Sequence, residues 1–128
     1  MKKSIVLAML GIVLMLGLVS CQQEEPWTDG APSDMVGKLW TEVDNDGYIT
    51  YTKWLSNGQK QIKSAYSAES AKTKAWKDTS VLTISKYRGN EIQTTNDTTY
   101  TYSISGRHLE IKGGIYTYSY DQTDDVVD

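Results

Sequence analysis

Residues 98–120 read TTYTYSISGRHLEIKGGIYTYSY. The stretch contains three runs, 98–104, 108–112 and 115–120, in which large side chains alternate with small or polar ones. Because successive side chains of an extended chain point to opposite faces, each run presents one face of Tyr, Ile or Leu. Glycine-containing turns separate the runs. The pattern predicts consecutive antiparallel strands joined as a meander.

The chain between residues 38 and 95 repeats this organisation. Turn sequences rich in Gly, Asn and Asp divide it into five further predicted strands, at 38–43, 48–55, 59–66, 80–87 and 91–95. Residues 67–78 break the alternation, with alanines at helical spacing and Ser67 suited to cap a short helix. Eight short strands leave unpaired edges unless the sheet closes. The sequence therefore predicts an all-β fold, an antiparallel up-and-down meander closing into a small eight-stranded barrel with one short helix.

The first 20 residues have the composition of a secretory signal peptide. Lysines at 2–3 form a cationic start, and the uncharged run 5–19 is shorter than the ~20 apolar residues that a membrane-spanning helix needs. Residues 18–21, LVSC, resemble the lipobox of bacterial lipoproteins. That resemblance implies cleavage before Cys21 and a lipid on its sulfur and amine. The alternatives are an ordinary secreted protein and an uncleaved amphipathic anchor, and in both of them Cys21 has no such role.

The residues after Cys21 bear on location. Gln22 is not the Asp that marks inner-membrane retention in the best-known sorting scheme, and the acidic pair Glu24-Glu25 resembles the surface-export signal of lipoproteins in certain Gram-negative anaerobes. The resemblance implies an outer-membrane protein, anchored by the lipid on Cys21, on the cell surface or facing the periplasm. Several acyl chains on one residue make a stable anchor.

Composition limits the partners of the mature chain. Removing residues 1–20 from 128 leaves 108, enough for one domain with a modest core. Lys plus Arg falls from 13 to 11 against 16 acids, so the net charge is near −5. That charge argues against nucleic acid and anionic headgroups as partners. Cys21 is the only cysteine, which leaves the domain without a disulfide or a thiol nucleophile.

The mature chain divides into three parts. Residues 21–34 hold both prolines and several acids, which predicts a flexible lipidated tether. Residues 35–120 form the predicted β-barrel domain. Residues 121–128 carry four aspartates and are predicted to be a frayed acidic tail.

Short motifs in the predicted domain resemble the lipocalins and their small bacterial relatives. Gly37-Lys38-Leu39-Trp40 is similar to the Gly-x-Trp opening of that family, and residues 51–58 are similar to its aromatic strand and Asn-Gly hairpin. Residues 99–111 are similar to its recurrent hairpin, a Tyr-rich strand, a Gly turn and a Leu-x-Ile strand. The resemblance covers about 36–120. It implies an up-and-down barrel and no single ligand.

One predicted loop resembles the calcium-binding loop of a helix-loop-helix site. Residues 42–53 place acids at the first, third and fifth positions of such a loop and Gly47 at the sixth. The twelfth position is Lys53, where the ion needs a Glu with two oxygens. We therefore expect a hairpin turn there. With Cys21 lipidated, only His108 remains as a nitrogen or sulfur ligand, so we expect no metal and no cofactor.

The sequence shows no catalytic arrangement. His108 directly follows a turn and is expected to face solvent beside Glu110. The acids fall mainly in turns, tether and tail, where water keeps a carboxylate pKa ordinary. No Gly-rich loop follows a strand and opens a helix. We expect no catalytic residues and no enzyme activity. A hydrolase that uses two acids is a third hypothesis, less favoured than ligand binding or binding of another protein.

The aromatic residues are the best candidates for binding. The chain has four Trp, nine Tyr and no Phe, and Tyr and Trp combine an apolar body with a polar group that suits ligand contact. Most are expected to fill the barrel, because eight strands leave room for side chains or one small ligand. The tyrosines near predicted turns are the expected ligand-binding residues: Tyr48, Tyr66, Tyr87, Tyr116 and Tyr120.

Two functions follow from these expectations. The first is an outer-membrane lipoprotein whose lipocalin-like domain binds a small molecule or glycan fragment without catalysis. The alternative is a structural or accessory envelope lipoprotein that binds another protein and has no ligand pocket.

Overall fold

A computed structural model describes residues 25–128 of the chain. The predicted signal peptide, Cys21 and the first part of the tether lie outside the described residues. The described part holds ten strands and one short helix. In chain order these are β1 Thr28–Asp29, β2 Leu39–Val43, β3 Ile49–Trp54, β4 Lys60–Ala65, α1 Ala68–Ala71, β5 Lys77–Thr79, β6 Ile84–Arg88, β7 Glu91–Thr94, β8 Thr99–Ser105, β9 His108–Gly113 and β10 Tyr116–Thr123.

The all-β, antiparallel prediction is confirmed. The alternating stretch 98–120 forms β8, β9 and β10, which pair in sequence with Leu109 opposite both Ile104 and Tyr120. Residues 44–48 form the expected turn between β2 and β3, in which the Asp44 carboxylate accepts hydrogen bonds from the backbone N–H groups of Asp46 (2.9 Å) and Tyr48 (3.0 Å). The predicted helix is present as the single turn α1. The hydroxyl of Ser67 caps it by accepting from the backbone N–H of Ser70 at 3.1 Å.

The strands form one sheet in the order β1-β6-β7-β8-β9-β10-β2-β3-β4-β5. β10 pairs with β2, and the hydrogen-bonded ladder is open between its two edge strands, β5 and β1. The sheet therefore curls into a half-barrel whose edges are the short strands β1 and β5. Short edge strands limit the number of unpaired backbone groups.

The prediction of a closed eight-stranded barrel is wrong in strand count and in closure. The strand expected at 80–87 begins only at Ile84, because Leu82 has a φ of +62° and the N–H of Thr83 turns back to the carbonyl of Ser80 at 3.4 Å. A residue in that conformation cannot continue an extended strand. Residues 80–83 therefore form a turn between β5 and β6, and they do not belong to either strand.

The main core lies inside the curled sheet. It contains the buried side chains Ala31, Met35, Trp40, Trp54, Leu82, Ile84, Ile92, Leu109, Ile111 and Tyr120. Most of the strand members occupy alternate positions, as the sequence pattern predicts. Met35 enters this core from the loop that precedes β2, and its carbonyl accepts a hydrogen bond from the indole of Trp40 at 3.1 Å.

A second, smaller core covers the opposite face of β3 and β4. It consists of Tyr51, Ala65, Ala71 and Val127, with Trp76 and Leu39 packed at its edge. Here α1 and the end of the chain lie against the sheet, so β3 is buried on both faces. β10 continues to Thr123 and Val127 is buried, which places part of the predicted acidic tail in the packed structure.

Within residues 25–128, no helix has the length and apolar character needed to cross a membrane.

Candidate functional site

Two of the five tyrosines expected to bind ligand lie side by side. The ring centroids of Tyr48 and Tyr66 are 4.8 Å apart, with the planes inclined by 57°. Tyr66 is 68% exposed, and Tyr48 also lines a cavity of about 330 Å³ with Lys63, Lys74 and Lys77 among its other lining residues. The pair is an aromatic surface beside this cavity.

Tyr116 belongs to a second aromatic group, shared between β8 and β10. Tyr116 is 58% exposed, and its ring stacks on Tyr118, with centroids 6.3 Å apart and planes at 20°. Tyr118 meets Tyr100 edge-on, also at 6.3 Å. Tyr100 lies against Gly113, where an added Cβ would be 2.3 Å from the ring. The group continues the inner face of the sheet into the β9–β10 hairpin.

Of the last two predicted residues, Tyr120 is buried in the main core and Tyr87, which is half-buried, packs against it. Tyr120 is 1% exposed and lies edge-on to Trp54, with centroids 5.5 Å apart. We expected Tyr120 near a turn, but β10 extends three residues beyond it, to Thr123. The five tyrosines therefore occupy separate places and form no single site.

A buried lysine lies beside Tyr120. The Nζ of Lys60 donates to the Tyr120 hydroxyl at 3.2 Å and stands 5.7 Å from the ring centroid of Trp54 and 5.6 Å from that of Tyr120. Burial lowers the pKa of Lys60, and the charge of Glu42 opposes that shift. Burial raises the pKa of Tyr120. These side chains fill the space inside this part of the half-barrel.

A cleft of about 620 Å³ opens where the loop before β2, the end of β3 and the end of the chain come together. Its lining consists of Val36, Gly37, Lys38, Leu39, Lys53, Trp54, Leu55, Ser56, Trp76, Asp125, Val126, Val127 and Asp128. The volume and the largely apolar wall are those of a small-molecule site. None of the five predicted tyrosines lines it.

Trp54 is held firmly in the wall of this cleft. Its indole N–H donates to the carbonyl of Leu82 at 2.9 Å, and its backbone forms an isolated parallel bridge with Val36. Because Trp54 is almost fully buried, only a small part of its ring reaches the cleft.

Trp76 forms the opposite side and is bound by charged groups. The ammonium groups of Lys53 and Lys63 lie 4.3 Å and 4.7 Å from the centroid of its ring. Its indole N–H donates to the Asp128 carboxylate at 2.9 Å. That hydrogen bond, assisted by Lys63, lowers the pKa of Asp128. Cations beside an indole ring are attracted to its electron-rich face.

The final residues of the chain are fastened to the sheet by side chains. The Tyr51 hydroxyl donates to Asp125 at 2.9 Å, and the Nζ of Lys63 donates to the carbonyl of Val127 at 2.5 Å and to Asp128 at 3.3 Å. Burial, together with the hydrogen bond to Asp125, raises the pKa of Tyr51 to about 12. The end of the chain is thus one wall of the cleft.

His108 lies on the surface between two acids. Its Nδ1 is 2.9 Å from Asp121 and its Nε2 is 3.5 Å from Glu110. The hydrogen bond with Asp121 is the main cause of its raised pKa. In the part of the chain that the structure describes, no group of three or more His, Cys, Asp and Glu side chains is arranged to hold a metal ion.

Comparison with known proteins returned no significant match to a family model, a curated protein or a solved structure.

Sequence reasoning missed the residues that build the cleft. Trp76 lies in the segment 67–78, where the strand pattern fails, and Asp125 and Asp128 lie in the predicted tail. A signal was present, since Val126-Val127 is an apolar pair among aspartates. Such a pair is typical of a segment that packs against something.

Proposed function

We propose that the protein binds a small ligand or glycan fragment, without catalysis, in the cleft between Trp76, the end of β3 and residues 125–128. The observation that carries this proposal is the convergence of the Trp76 indole, several apolar side chains and several charged groups on one cavity of about 620 Å³. Ligand sites combine mostly apolar walls with a few polar groups that orient the ligand.

The packing of the interior favours the cleft over the inside of the half-barrel. Trp40, Trp54 and Tyr120 are fully buried there, and Lys60 fills the space beside them. A ligand in the interior would have to displace these side chains and leave the buried ammonium of Lys60 without its hydrogen bond, which is costly. A ligand in the cleft requires no such rearrangement.

The cleft suits a ligand with an apolar body and a few polar groups. Leu39, Leu55 and Val36 supply apolar wall, and the Trp76 indole supplies an aromatic surface of the kind on which sugar rings and apolar groups pack. Lys53 and Asp125 lie at the same cleft and offer a donor and an acceptor for hydroxyl groups.

We further propose that this domain is lipocalin-like and that the lipid on Cys21 anchors it to the outer membrane. Support comes from residues 1–26 and from the family-like motifs at 37–40, 51–58 and 99–111. Expression of the full chain in a Gram-negative host with a labelled fatty acid tests the anchor. Label and membrane association should disappear in Cys21→Ser; a labelled Cys21→Ser chain would refute lipidation at this residue.

The binding proposal is tested on the purified protein with fatty acids, haem, bile acids and oligosaccharides, followed by tryptophan fluorescence and thermal shift. We expect one chemical class to give a saturable response that Trp76→Phe weakens. Trp27→Phe is the matched control, because Trp27 also packs against a cation, Arg88 at 4.2 Å, but does not line the cleft. No response to the panel from the folded protein would reject small-ligand binding for these classes.

A second candidate is docking of another envelope protein. The observation that favours it is the β9–β10 hairpin, where Ile115 is 91% exposed next to the exposed Tyr116. Exposed apolar residues at one tip are typical of a contact surface. A photo-crosslinking residue at position 115 should capture one defined envelope protein, whereas the same residue at the exposed position 96 should not. Equal labelling from both positions would reject this candidate.

A further inference from the structure

The Asp128 carboxylate occupies a small cationic recess at the edge of the cleft. It accepts hydrogen bonds from the indole N–H of Trp76 at 2.9 Å and from the Nζ of Lys63 at 3.3 Å. Lys53 stands beside the same indole, 4.3 Å from the ring centroid. One indole donor and one ammonium group therefore bind the carboxylate, and a second ammonium group lies over the same indole ring.

The Lys63 side of the recess is held in place by buried contacts. The Lys63 side chain is only 2% exposed, and its Nζ is fixed by the carbonyls of Val127 at 2.5 Å and Lys74 at 3.2 Å. A buried ammonium group needs an anionic or strongly polar partner, since an unpaired one is costly. Among the described residues, Asp128 is the carboxylate that forms this ion pair.

Asp128 itself is loosely held compared with the groups that bind it. Its side chain is largely exposed, and it follows β10 by several residues, outside the strand ladder. The exposed Asp128 carboxylate can be exchanged for another carboxylate at little cost, because the incoming group restores the partner that the buried Lys63 ammonium needs. The recess would then present donors to a carboxylate that arrives from the cleft.

We propose that Trp76 and Lys63, with Lys53 beside them, form a carboxylate-binding subsite of the cleft, which Asp128 fills until a ligand with its own carboxylate replaces it. This inference rests on the proposed function and names its ligand class: an organic acid with an apolar or ring-shaped body. The body lies along Leu39, Leu55 and Trp54, and the acid group takes the place of Asp128. A fatty acid and a uronic acid both offer this chemistry.

The test uses two acids and their neutral counterparts: octanoate with 1-octanol, and glucuronate with glucose. Each is titrated into the full chain, and the indole ¹H–¹⁵N resonance of Trp76 is followed by NMR. We expect one of the two acids to bind about tenfold more tightly than its neutral counterpart, because a charge-assisted hydrogen bond is added. The acid that responds identifies the source of the carboxylate.

Two substitutions of equal charge separate the subsite from general electrostatics. Asp128→Asn removes the internal competitor and should raise the affinity for the responding acid several-fold, with no change for the neutral probe. Asp124→Asn is the matched control, because Asp124 pairs with Arg107 at 3.1 Å and does not line the cleft. It should leave both affinities unchanged. Trp76→Phe keeps a ring but removes the donor. With the Trp54 indole resonance as the readout, this variant should bind the acid more weakly and the neutral probe unchanged.

Three results would overturn the inference. If acid and neutral probes bind equally, the cleft is a ligand site but has no carboxylate subsite. If Asp124→Asn raises acid affinity as much as Asp128→Asn, the effect is one of net charge. If no probe moves the Trp76 resonance in either the parent protein or Asp128→Asn, both the subsite and the cleft as the binding site for these probes are rejected.

Discussion

The backbone N–H of Ile84 donates a hydrogen bond of 2.9 Å to the carbonyl of Gly58. The contact joins the β3–β4 turn to the start of β6. Gly58 has a φ of +93°, and a Cβ added there would lie 1.7 Å from the carbonyl oxygen of Ile84. Only glycine therefore permits the two backbones to approach in this way. The contact therefore links β6 to the turn before β4, two strands that do not pair with each other in the sheet.

Gly58→Ala should lower the free energy of unfolding by about 2–4 kcal/mol, from the strained φ and the backbone clash together. Gly47→Ala is the control, because Gly47 has a φ of +82° but nothing within 4 Å of an added Cβ. It should cost only about 1 kcal/mol. Urea unfolding followed by tryptophan fluorescence measures both. Equal losses would contradict a stabilising role for the Gly58–Ile84 contact.

Thr52→Val should stabilise the protein. The Thr52 hydroxyl is fully buried and has no hydrogen-bond partner among the described residues. Valine has nearly the same shape without the unsatisfied polar group, so the gain should be about 1 kcal/mol. Thr83→Val is the control, because the buried Thr83 hydroxyl donates to the carbonyl of Thr79, and it should destabilise. Thermal unfolding of both variants checks the pair, and a loss of stability in Thr52→Val would show that the hydroxyl has a partner.

Stability should fall steeply in alkali. Burial is the main cause that raises the pKa of Tyr51, Tyr100, Tyr102 and Tyr120. The folded state thus holds these phenolic protons more tightly than the unfolded state, whose tyrosines titrate near about 10. The stabilisation is therefore complete below the unfolded pKa of about 10 and is lost as pH rises through the raised pKa values of the folded state. For Tyr51 that raised pKa is about 12. Denaturant unfolding and tyrosinate absorbance, measured in parallel, check this. Ionisation of all tyrosines near pH 10 (about the unperturbed value) with the fold intact would contradict it.

Asp121→Asn should lower the pKa of His108. The hydrogen bond with Asp121 is the largest cause of the raised pKa of His108. Desolvation opposes it, and Glu110 raises the pKa further. The associated stabilisation is present in full below about 6.5 and is lost as pH rises through the raised pKa. NMR titration of the imidazole measures the shift. Asp124→Asn removes an equal charge nearby and should leave the His108 midpoint almost unchanged; an unchanged midpoint in Asp121→Asn itself would refute the contact.

The strands were predictable from sequence because their signal is local. Alternation over residues 98–120 needs no information from elsewhere, and the Asp44–Gly47 turn is recognisable from its own residues. Closure is different, because it depends on whether two distant strands meet. The positive φ of Leu82, which delays β6, has no marker in the sequence around it.

The cleft could not be predicted for a related reason. Trp76, Lys63 and Asp128 are brought together only by the folded sheet, and each lies where the local pattern indicated something else. Lys63 is a charged residue within a strand, and it is buried because residues 127 and 128 lie over it. The tyrosines were noticeable because they are numerous. Alternation puts Tyr116 and Tyr120 on the same face of β10, but Tyr120 is buried in the core, whereas Tyr116 is exposed beside the β9–β10 hairpin.

The most direct test of ligand binding in the cleft is ¹H–¹⁵N NMR of the four indole groups during titration with the class that responds in the fluorescence panel. The account predicts saturable shifts of the Trp76 and Trp54 resonances at one common affinity, while Trp27 stays unchanged. Shifts confined to Trp27, or a ligand that binds while Trp76 and Trp54 remain unperturbed, would contradict it.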